Sequence, residues 1–337
     1  MTVFTPLPSS IAMDNAVNYE SLQPDEALIF LHIMKTAGTS LFKVLQQQYS
    51  KDLTFHYVPT KEGKRLEDFE QWPQDRRDRL RFFHGHECYG VHEHLNPPSR
   101  YMTMLRKPVN RVVSLYYFIH HNPNRDIPVE DLCPTLRSYL DARVPSVDNG
   151  QTRAIAGEAA SDFAFGECTS ELLDIAKQNL AQFLMVGTTE RFDESLLVLK
   201  HVLGLDNILY SRTNENLRKP KMEEMDPADI ETIKTLNQLD EELYAYANQL
   251  LDEKIRQIGD AFAIEYRFFR HVNRQFSDVE LALKDTKKKL RDKHQKLQKM
   301  RQQRDQLKDK MDRFQSETDT GNGHPGRLWQ RLMGRKG

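Results

Sequence analysis

A lysine, a glycine and three hydroxyl side chains follow a short apolar run near the start of the chain. The stretch is FLHIMKTAGTSLFKVLQQQY, residues 30–49, and its turn consists of Lys35, Thr36, Ala37, Gly38, Thr39 and Ser40. A helix that begins after such a turn offers backbone N–H groups and a partial positive charge to an anion. The small residues allow a close approach, the hydroxyls can donate hydrogen bonds, and the lysine adds a mobile charge. The pattern predicts a binding loop for a nucleotide phosphate.

The residue order distinguishes this loop from those of metal-dependent phosphotransferases. Lys35 precedes Gly38, so the pattern GxxxxGK[ST] cannot be written through it. Phosphoryl transfer also needs Mg²⁺ and an acidic ligand, which usually ends a second strand. The next candidate strand ends TMLRKP, with Arg106 and Lys107 at that place. A sulfuryl group carries less charge and can be transferred without a metal, so the sequence favours metal-free transfer.

Histidines are concentrated in HGHECYGVHEH, residues 84–94. Histidine can accept the proton of a hydroxyl group near neutral pH. His84 and His86 are two residues apart on a predicted strand, so both can face one side. A zinc site is the rival interpretation, but the spacings match no common zinc signature. We therefore expect no metal; the zinc alternative draws on His84, His86, Cys88, His92 and His94.

These candidate residues lie where predicted strands end and predicted helices begin. Apolar runs predict strands over 27–33, 81–86, 101–106, 183–190 and 207–211. Helical periodicity predicts helices over 39–49, 107–121, 171–182, 192–204 and 226–259. Such alternation is typical of an α/β domain with a mostly parallel central sheet. We predict four segments: a loosely ordered lead-in (1–24), the α/β domain (25–275), a coiled-coil helix (276–315) and a flexible basic tail (316–337).

The bulk composition narrows the class of protein. The 337 residues are 39% hydrophobic, which suffices for one large domain or two small ones, and the net charge of -1 gives no global case for nucleic-acid binding. The three cysteines, Cys88, Cys133 and Cys168, are far apart, which favours reduced thiols. No secretory signal or membrane-spanning run is apparent. We expect a soluble protein in the cytoplasm.

The C-terminal part of the chain shows a heptad pattern. From Ser277 to Phe314 there is no Gly or Pro, and basic side chains outnumber acidic ones. This pattern predicts a coiled coil that makes a homo-oligomer, most simply a dimer, against the alternative of a lone solvated helix. The final RLWQRLMGRKG could contact an anionic membrane, or be a disordered end. The seam is Val279, Leu283, Thr286, Leu290, Lys293, Leu297, Met300, Arg304, Leu307, Met311 and Phe314.

Two of these segments together carry a family resemblance. HIMKTAGTSL resembles the 5′-phosphosulfate loop of the sulfotransferases, and TMLRKPVNRVVSLYYF resembles their 3′-phosphate motif. Within that family the chain most resembles the branch of carbohydrate sulfotransferases similar to heparan sulfate 2-O-sulfotransferase; FHGH at 83–86 and the segment 181–204 also fit this branch. The resemblance covers most of residues 27–255. Met34 replaces a usual Pro, and Lys107 replaces a usual acid. The resemblance implies a P-loop-like three-layer sulfotransferase fold.

The resemblance also implies roles for individual residues. The donor would be 3′-phosphoadenosine 5′-phosphosulfate (PAPS), held by the loop 35–40 and, at its 3′-phosphate, by Arg106 and Ser114. His84 would be the base and His86 would position the acceptor or share the role, while Lys35 would stabilise charge on the leaving oxygen. SRTNENLRKPK, residues 211–221, resembles a loop that closes over the adenine. Its candidate ligands, which could also belong to a solvated loop, are Arg212, Arg218 and Lys219.

The function predicted from these motifs is transfer of a sulfuryl group from PAPS to a hydroxyl group of an acceptor, which we expect to be a glycan. An alternative from another class is a nucleotide-binding scaffold that has lost turnover and acts through its coiled coil. A small Mg²⁺-dependent kinase is a third interpretation, and it predicts ATP hydrolysis that a chelator stops.

Overall fold

The computed structural model describes residues 20–57, 66–86, 89–120, 133–211 and 224–319. Its centre is a five-stranded sheet of order β2-β3-β1-β4-β5, in which every neighbouring pair is parallel. This confirms the predicted α/β class. The strands are β1 (Ala27–Leu31), β2 (Thr54–His56), β3 (Phe82–Gly85), β4 (Ser99–Leu105) and β5 (Met185–Thr188).

Helices follow the strands, as parallel connections require. Short 3-10 turns lie at Lys51–Leu53, Val91–His94, Pro145–Val147, Gly157–Asp162 and Thr189–Arg191. In the described residues the helices are α1 (Gly38–Leu45), α2 (Leu66–Glu70), α3 (Gln74–Asp78), α4 (Pro108–His120), α5 (Leu136–Asp141), α6 (Gly150–Ala156), α7 (Ser170–Ala181), α8 (Phe192–Leu203), α9 (Pro227–Leu236), α10 (Gln238–Ile258) and α11 (Ala261–Asp319).

The two faces of the sheet are covered by different helices. Side chains alternate along β1, so Leu28 and Phe30 belong to one hydrophobic cluster and Ile29 and Leu31 to another. The first cluster contains residues of α1 and α8, and the second contains residues of α7 and α10. Because both faces are buried, the strand is a continuous apolar run, which is why the sequence identifies it.

Three local features differ from the sequence-based predictions. Residues 207–211 are not a strand, because the N–H of Tyr210 donates to the side-chain oxygen of Asn273, at 2.8 Å, instead of to a neighbouring strand. The predicted helix 226–259 is two helices separated at Asn237, whose buried amide donates to the carbonyls of Val147 and Ile233. The edge strand β2 was not predicted at all.

The chain divides into two compact units, Met1–Phe276 and Ser277–Gly337. The second includes the heptad part of α11. Across the described residues, none of the helices combines the length and the apolar character that crossing a bilayer would require.

Candidate active site

A cavity of about 430 Å³ opens where β1 and β4 end, in the compact unit that contains the sheet. Carboxyl ends of parallel strands are where α/β proteins usually bind ligands. Eight of the side chains or loop positions predicted from the sequence line this cavity: Lys35, Ala37, Gly38, Thr39, Ser40, His86, Arg106 and Ser114. The structure therefore brings together the two phosphate motifs and one of the two predicted catalytic histidines.

The loop between β1 and α1 has an unusual backbone. Lys35 and Ala37 both adopt left-handed conformations, with φ of 71° and 65°. Ala37 is the N-cap of α1, and its side chain forms no capping hydrogen bond. The N-terminal N–H groups of α1 are therefore not capped by this side chain, as suits an anion-binding helix start.

The position of the Thr36 hydroxyl differs from the prediction that it faces the phosphate. Its side chain is fully buried and donates a hydrogen bond to the carbonyl of Ile33, at 2.8 Å. Thr36 is also absent from the cavity wall. The Thr36 hydroxyl therefore stabilises the turn. Of the three residues predicted to donate hydroxyl hydrogens, Thr39 and Ser40 line the cavity.

Gly38 is required by a close approach between the loop and a histidine. A Cβ atom at this position would lie 2.0 Å from Cδ2 and Nε2 of His32, far inside van der Waals contact. His32 follows β1 directly and lines the cavity. His32 was not among the candidate residues predicted from the sequence, although its place between a buried strand and the loop was a usable signal.

Arg106 is fixed at the end of β4 by contacts on three sides. Its Nη1 donates to the carbonyl of Lys35 at 3.0 Å, which ties the two phosphate motifs together. Its N–H donates to Oε1 of Gln151 and its carbonyl accepts from Nε2 of the same side chain, both at 2.9 Å. The buried Nε of Arg106 has no hydrogen-bond partner among the described residues, which leaves a donor for a ligand.

Gln151 and Arg153 have structural roles, since both make buried polar contacts within the fold. Gln151 is fully buried, and its N–H donates to Asp240 at 3.1 Å. Arg153 pairs with Asp148 at 2.6 Å.

Burial lowers the pKa of Arg106, but a guanidinium stays protonated at neutral pH.

The two predicted catalytic histidines have different surroundings. His86 lines the cavity, and its Nδ1 lies 2.7 Å from the carbonyl oxygen of His32. His84 is only 3% exposed and is not part of the cavity wall. Its ring stacks on Phe42 at 4.1 Å between centroids, and its Nε2 lies 3.1 Å from Nδ1 of His32. His84, which the family resemblance implies as the base, therefore lies outside the cavity lining that contains His86.

Burial keeps these imidazoles neutral. Desolvation lowers the pKa of His84 to about 2 and that of His32 to about 3, with smaller contributions from the neighbouring histidines. Desolvation also lowers the pKa of His86, while the hydrogen bond to the His32 carbonyl opposes that shift. All three rings are therefore uncharged near neutral pH, which is the state that a general base requires.

The zinc alternative gains no support from side chains near β3. His92 contacts the hydroxyl of Tyr101 and His94 contacts Glu70, so each has a separate partner. Among the residues that the structure describes, no group of three or more His, Cys, Asp or Glu is arranged to hold a metal ion. Cys88 lies outside the described residues, as do Arg212, Arg218 and Lys219.

Besides His32, the cavity lining includes residues that were not assigned to it from the sequence, among them Phe118 and Glu190. Phe118 of α4 carries Nζ of Lys35 over its ring, 4.1 Å from the centroid. Glu190 lines the cavity, and it accepts hydrogen bonds from the N–H of Lys107 and from the hydroxyl of Tyr244. These bonds tie Glu190 to its neighbours within the fold.

Comparisons with known proteins were made on the whole sequence. Residues 3–322 match the family model described as galactose-3-O-sulfotransferase. Human heparan-sulfate 6-O-sulfotransferase 1 is 25% identical over 282 residues, which are 69% of this chain and 67% of that protein. A chicken heparan-sulfate 6-O-sulfotransferase 2 is 25% identical over 318 residues, 76% of this chain and 74% of the relative.

Human galactose-3-O-sulfotransferase 3 is 27% identical over 182 residues, which are half of this chain (50%) and 41% of that protein. The crystal structure of mouse sulfotransferase SULT7A1 complexed with PAP covers 76% of this chain and 91% of its own, with 14% identity and a TM-score of 0.29. The sequence matches confirm the predicted resemblance to the carbohydrate sulfotransferases. They do not show the 2-O branch, which stays a prediction.

Proposed function

We propose that this chain, which belongs to the galactose-3-O-sulfotransferase family, transfers a sulfuryl group from PAPS to a hydroxyl group of a carbohydrate. The observation that carries the proposal is the cavity shared by the loop 35–40, Arg106, Ser114 and His86. Family membership supplies the reaction class, and the cavity supplies side chains suited to each step of it.

The donor would lie between two cationic ends. The start of α1 and Lys35 suit the 5′-phosphosulfate, because helix N–H groups and an ammonium group both stabilise anionic oxygens. Arg106 and Ser114 suit the 3′-phosphate, since a guanidinium gives forked donors and a hydroxyl gives one more. The bond from Arg106 to the Lys35 carbonyl holds the two ends in a fixed relationship before PAPS arrives.

His86 is the base in this proposal, in place of His84. A carbonyl oxygen can only accept, so the contact with His32 places the ring proton of neutral His86 on Nδ1 and leaves the lone pair on Nε2. That nitrogen can take the acceptor's proton as the acceptor oxygen bonds to sulfur. The bond from sulfur to the bridging phosphate oxygen breaks, and its electron pair stays on PAP, where Lys35 stabilises the charge.

The acceptor is proposed to be a sugar hydroxyl. The names of the relatives specify heparan sulfate or galactose, and the chain matches heparan-sulfate relatives over about two thirds of their length. Proposed acceptors are therefore heparan sulfate and galactose-containing oligosaccharides. A cytoplasmic location stays a prediction.

The proposal is tested with purified full-length protein in two steps. Calorimetric titration with PAP measures donor-site binding, and labelled PAPS with a glycan panel measures transfer, with and without EDTA. We expect PAP to bind, sulfate to be transferred, and EDTA to have no effect. No PAP binding at about 1 mM would contradict the donor site. Binding without transfer to any acceptor would favour the catalytically silent scaffold.

A further inference from the structure

The heptad part of α11 presents a row of exposed apolar side chains. Within the unit Ser277–Gly337, seven seam residues leave between 41% and 68% of their surface exposed. A row of this length on a helix surface is unusual unless another helix covers it. The seven residues, called the α11 seam below, are Val279, Leu283, Leu290, Leu297, Met300, Leu307 and Met311.

The spacing assigns each position a heptad letter. Steps of three and four along the seam place Leu283, Leu290, Leu297, Arg304 and Met311 at a, and the alternating seam residues at d. Two of these positions are cationic, Arg304 at a and Lys293 at d. A partner helix would face both of them directly.

The positions that flank the seam are cationic as well. In a coiled coil, residues at e and g border the apolar contact and choose the partner. From Lys287 to Lys310, no e or g position carries an acid; the e residues are Lys287, His294, Arg301 and Lys308, and the g residues are Lys289, Lys296, Gln303 and Lys310.

Apart from Glu280, which is at e at the start of the seam, the acidic residues between Val279 and Asp312 lie away from the flanks. Asp285 and Asp292 are at c, Asp305 and Asp312 are at b, and Asp309 is at f. One acid pairs with a flank, because Asp285 contacts Lys289 at 2.7 Å, but both side chains are more than half exposed. An exposed pair of this kind contributes little and exchanges readily.

These charges argue against a second copy as the partner. In a parallel pair, each g residue faces the e residue five positions later on the other helix, so Lys289 meets His294 and Lys296 meets Arg301. In an antiparallel pair, e faces e and g faces g, which again brings cation against cation. Lys293 and Arg304 add like charges within the seam itself. The predicted homodimer therefore meets repulsion in both orientations.

We propose that the α11 seam binds a different chain, whose helix carries apolar a and d positions with Glu or Asp at e and g. Such a partner covers the exposed leucines and methionines and pairs with the cationic flanks along the same length. Acidic seam positions opposite Lys293 and Arg304 complete the match. A nucleic acid or an anionic membrane would be attracted by the charge, but the registered apolar row favours a helix.

The test uses the full-length chain and two fluorescent five-heptad peptides. Both peptides have Leu at a and d; one has Glu at every e and g, and the other has Lys. We expect the chain to bind the Glu peptide at least about tenfold more tightly than the Lys peptide, with the preference narrowing as salt rises. Equal affinities for the two peptides would overturn the proposal.

Two matched charge-reversal variants separate flank recognition from general attraction. The flank variant is Lys296→Glu, Arg301→Glu and Lys308→Glu; the outward variant, with the same change in net charge, is Lys288→Glu, Lys299→Glu and Arg313→Glu at f and c. We expect the flank variant to prefer the Lys peptide and the outward variant to keep the original preference. Equal effects of the two would overturn the proposal, because general polyanion attraction would then explain the binding.

The apolar contact and the rival occupant are tested separately. A seam variant, Leu290→Asp with Leu297→Asp, is expected to lose the Glu peptide, and binding that survives would overturn a helix-docking role. Sedimentation of the wild-type chain at micromolar concentration should show a monomer. A dimer that the seam variant abolishes would mean that a second copy occupies the seam, and would overturn the proposal.

Discussion

His86 donates a hydrogen bond from Nδ1 to the backbone carbonyl of His32, across 2.7 Å at the cavity wall. The direction of this bond is certain in the neutral ring, because the carbonyl oxygen has no proton to give. Nε2 of His86 is then the unprotonated nitrogen. The ring of His32 also packs against that of His86, with centroids 4.2 Å apart and the two ring planes tilted by 33°. One residue thus fixes both the tautomer and the plane of its neighbour.

The first prediction concerns His86 as the base. His86→Ala is expected to lower the transfer rate by about 10²–10⁴ and to leave PAP affinity within a few-fold, since base catalysis contributes that range. Burial lowers the pKa of His86 below its usual 6.5. The wild-type kcat/KM should therefore be flat at neutral pH and fall as the pH drops through that lowered pKa. An unchanged rate in the variant would rule out the role.

The matched control is His84→Phe. His84 already stacks on Phe42 and Phe30, so a phenyl ring fits the same aromatic cluster. We expect this variant to keep at least about a tenth of the wild-type rate, because the removed ring is behind the cavity wall. Loss of transfer with PAP binding intact would instead restore His84 as the base that the family resemblance implies.

The second prediction concerns acid stability. His32 and His84 are neutral in the fold, with pKa values lowered to about 3 and about 2, whereas in the unfolded chain they titrate near 6.5. Below pH 6.5 the unfolded state binds more protons, so the free energy of unfolding falls as the pH falls. Each histidine contributes a slope of about 1.4 kcal/mol per pH unit over that range.

The variant His84→Phe isolates this contribution from those of the carboxylates. We expect its free energy of unfolding, measured by urea denaturation between about pH 7 and 4.5, to depend less steeply on pH than that of the wild type. The difference between the two slopes should disappear above pH 7. Parallel curves for the two proteins would show that His84 is already exposed to protonation in the fold.

The assignment of the base shows where sequence reasoning stops. His84 and His86 are two apart, and strand periodicity puts both on one side. However, β3 ends at Gly85, so His86 lies beyond the strand and turns to the cavity while His84 points into the aromatic cluster. The histidines and the loop could be found from residue types, but the end of a strand to within one residue could not.

The sheet itself could be predicted where both faces are buried. β1 is fully buried and appears as a continuous apolar run. A similar apolar run at 207–211 is misleading, because the backbone N–H of Tyr210 donates its hydrogen bond to Asn273, which is far away in sequence. The break at Asn237 has a similar cause, since its amide bonds to Val147, 90 residues away. Both errors come from tertiary hydrogen bonds that no local pattern encodes.

The third prediction concerns Gly38. Gly38→Ala puts a Cβ 2.0 Å from the ring of His32, which must then shift from its place beside His86. We expect a loss of about 1–3 kcal/mol in the free energy of unfolding and at least about a tenfold loss of transfer. Adding His32→Ala gives the methyl group space, so the double variant should regain stability relative to Gly38→Ala without regaining activity. A fully active Gly38→Ala would contradict the close contact.

The fourth prediction concerns Arg106 and its fixed fork. Arg106→Lys keeps the charge but loses the planar donors, including the Nη1 bond to the Lys35 carbonyl. We expect PAP affinity to fall about 10- to 100-fold by calorimetry. Arg100→Lys is the matched control, because Arg100 is on the same strand and pairs with Glu20. Equal affinities for the two variants would contradict a role of Arg106 at the 3′-phosphate.

The last prediction separates the charge of Lys35 from its backbone. Lys35 has φ of 71°, a conformation that strains residues other than glycine, and its carbonyl accepts the bond from Arg106. Lys35→Gly keeps that carbonyl, relieves the strain and removes Nζ. We therefore expect an unfolding free energy that is equal or higher, PAP binding that remains measurable, and a transfer rate lower by about 10²–10³. Phe118→Leu, which removes the aromatic contact with Nζ and keeps an apolar side chain in the cavity lining, should change the rate by a few-fold at most. A Lys35→Gly variant that keeps the wild-type rate would show that the leaving oxygen is stabilised by the helix start alone.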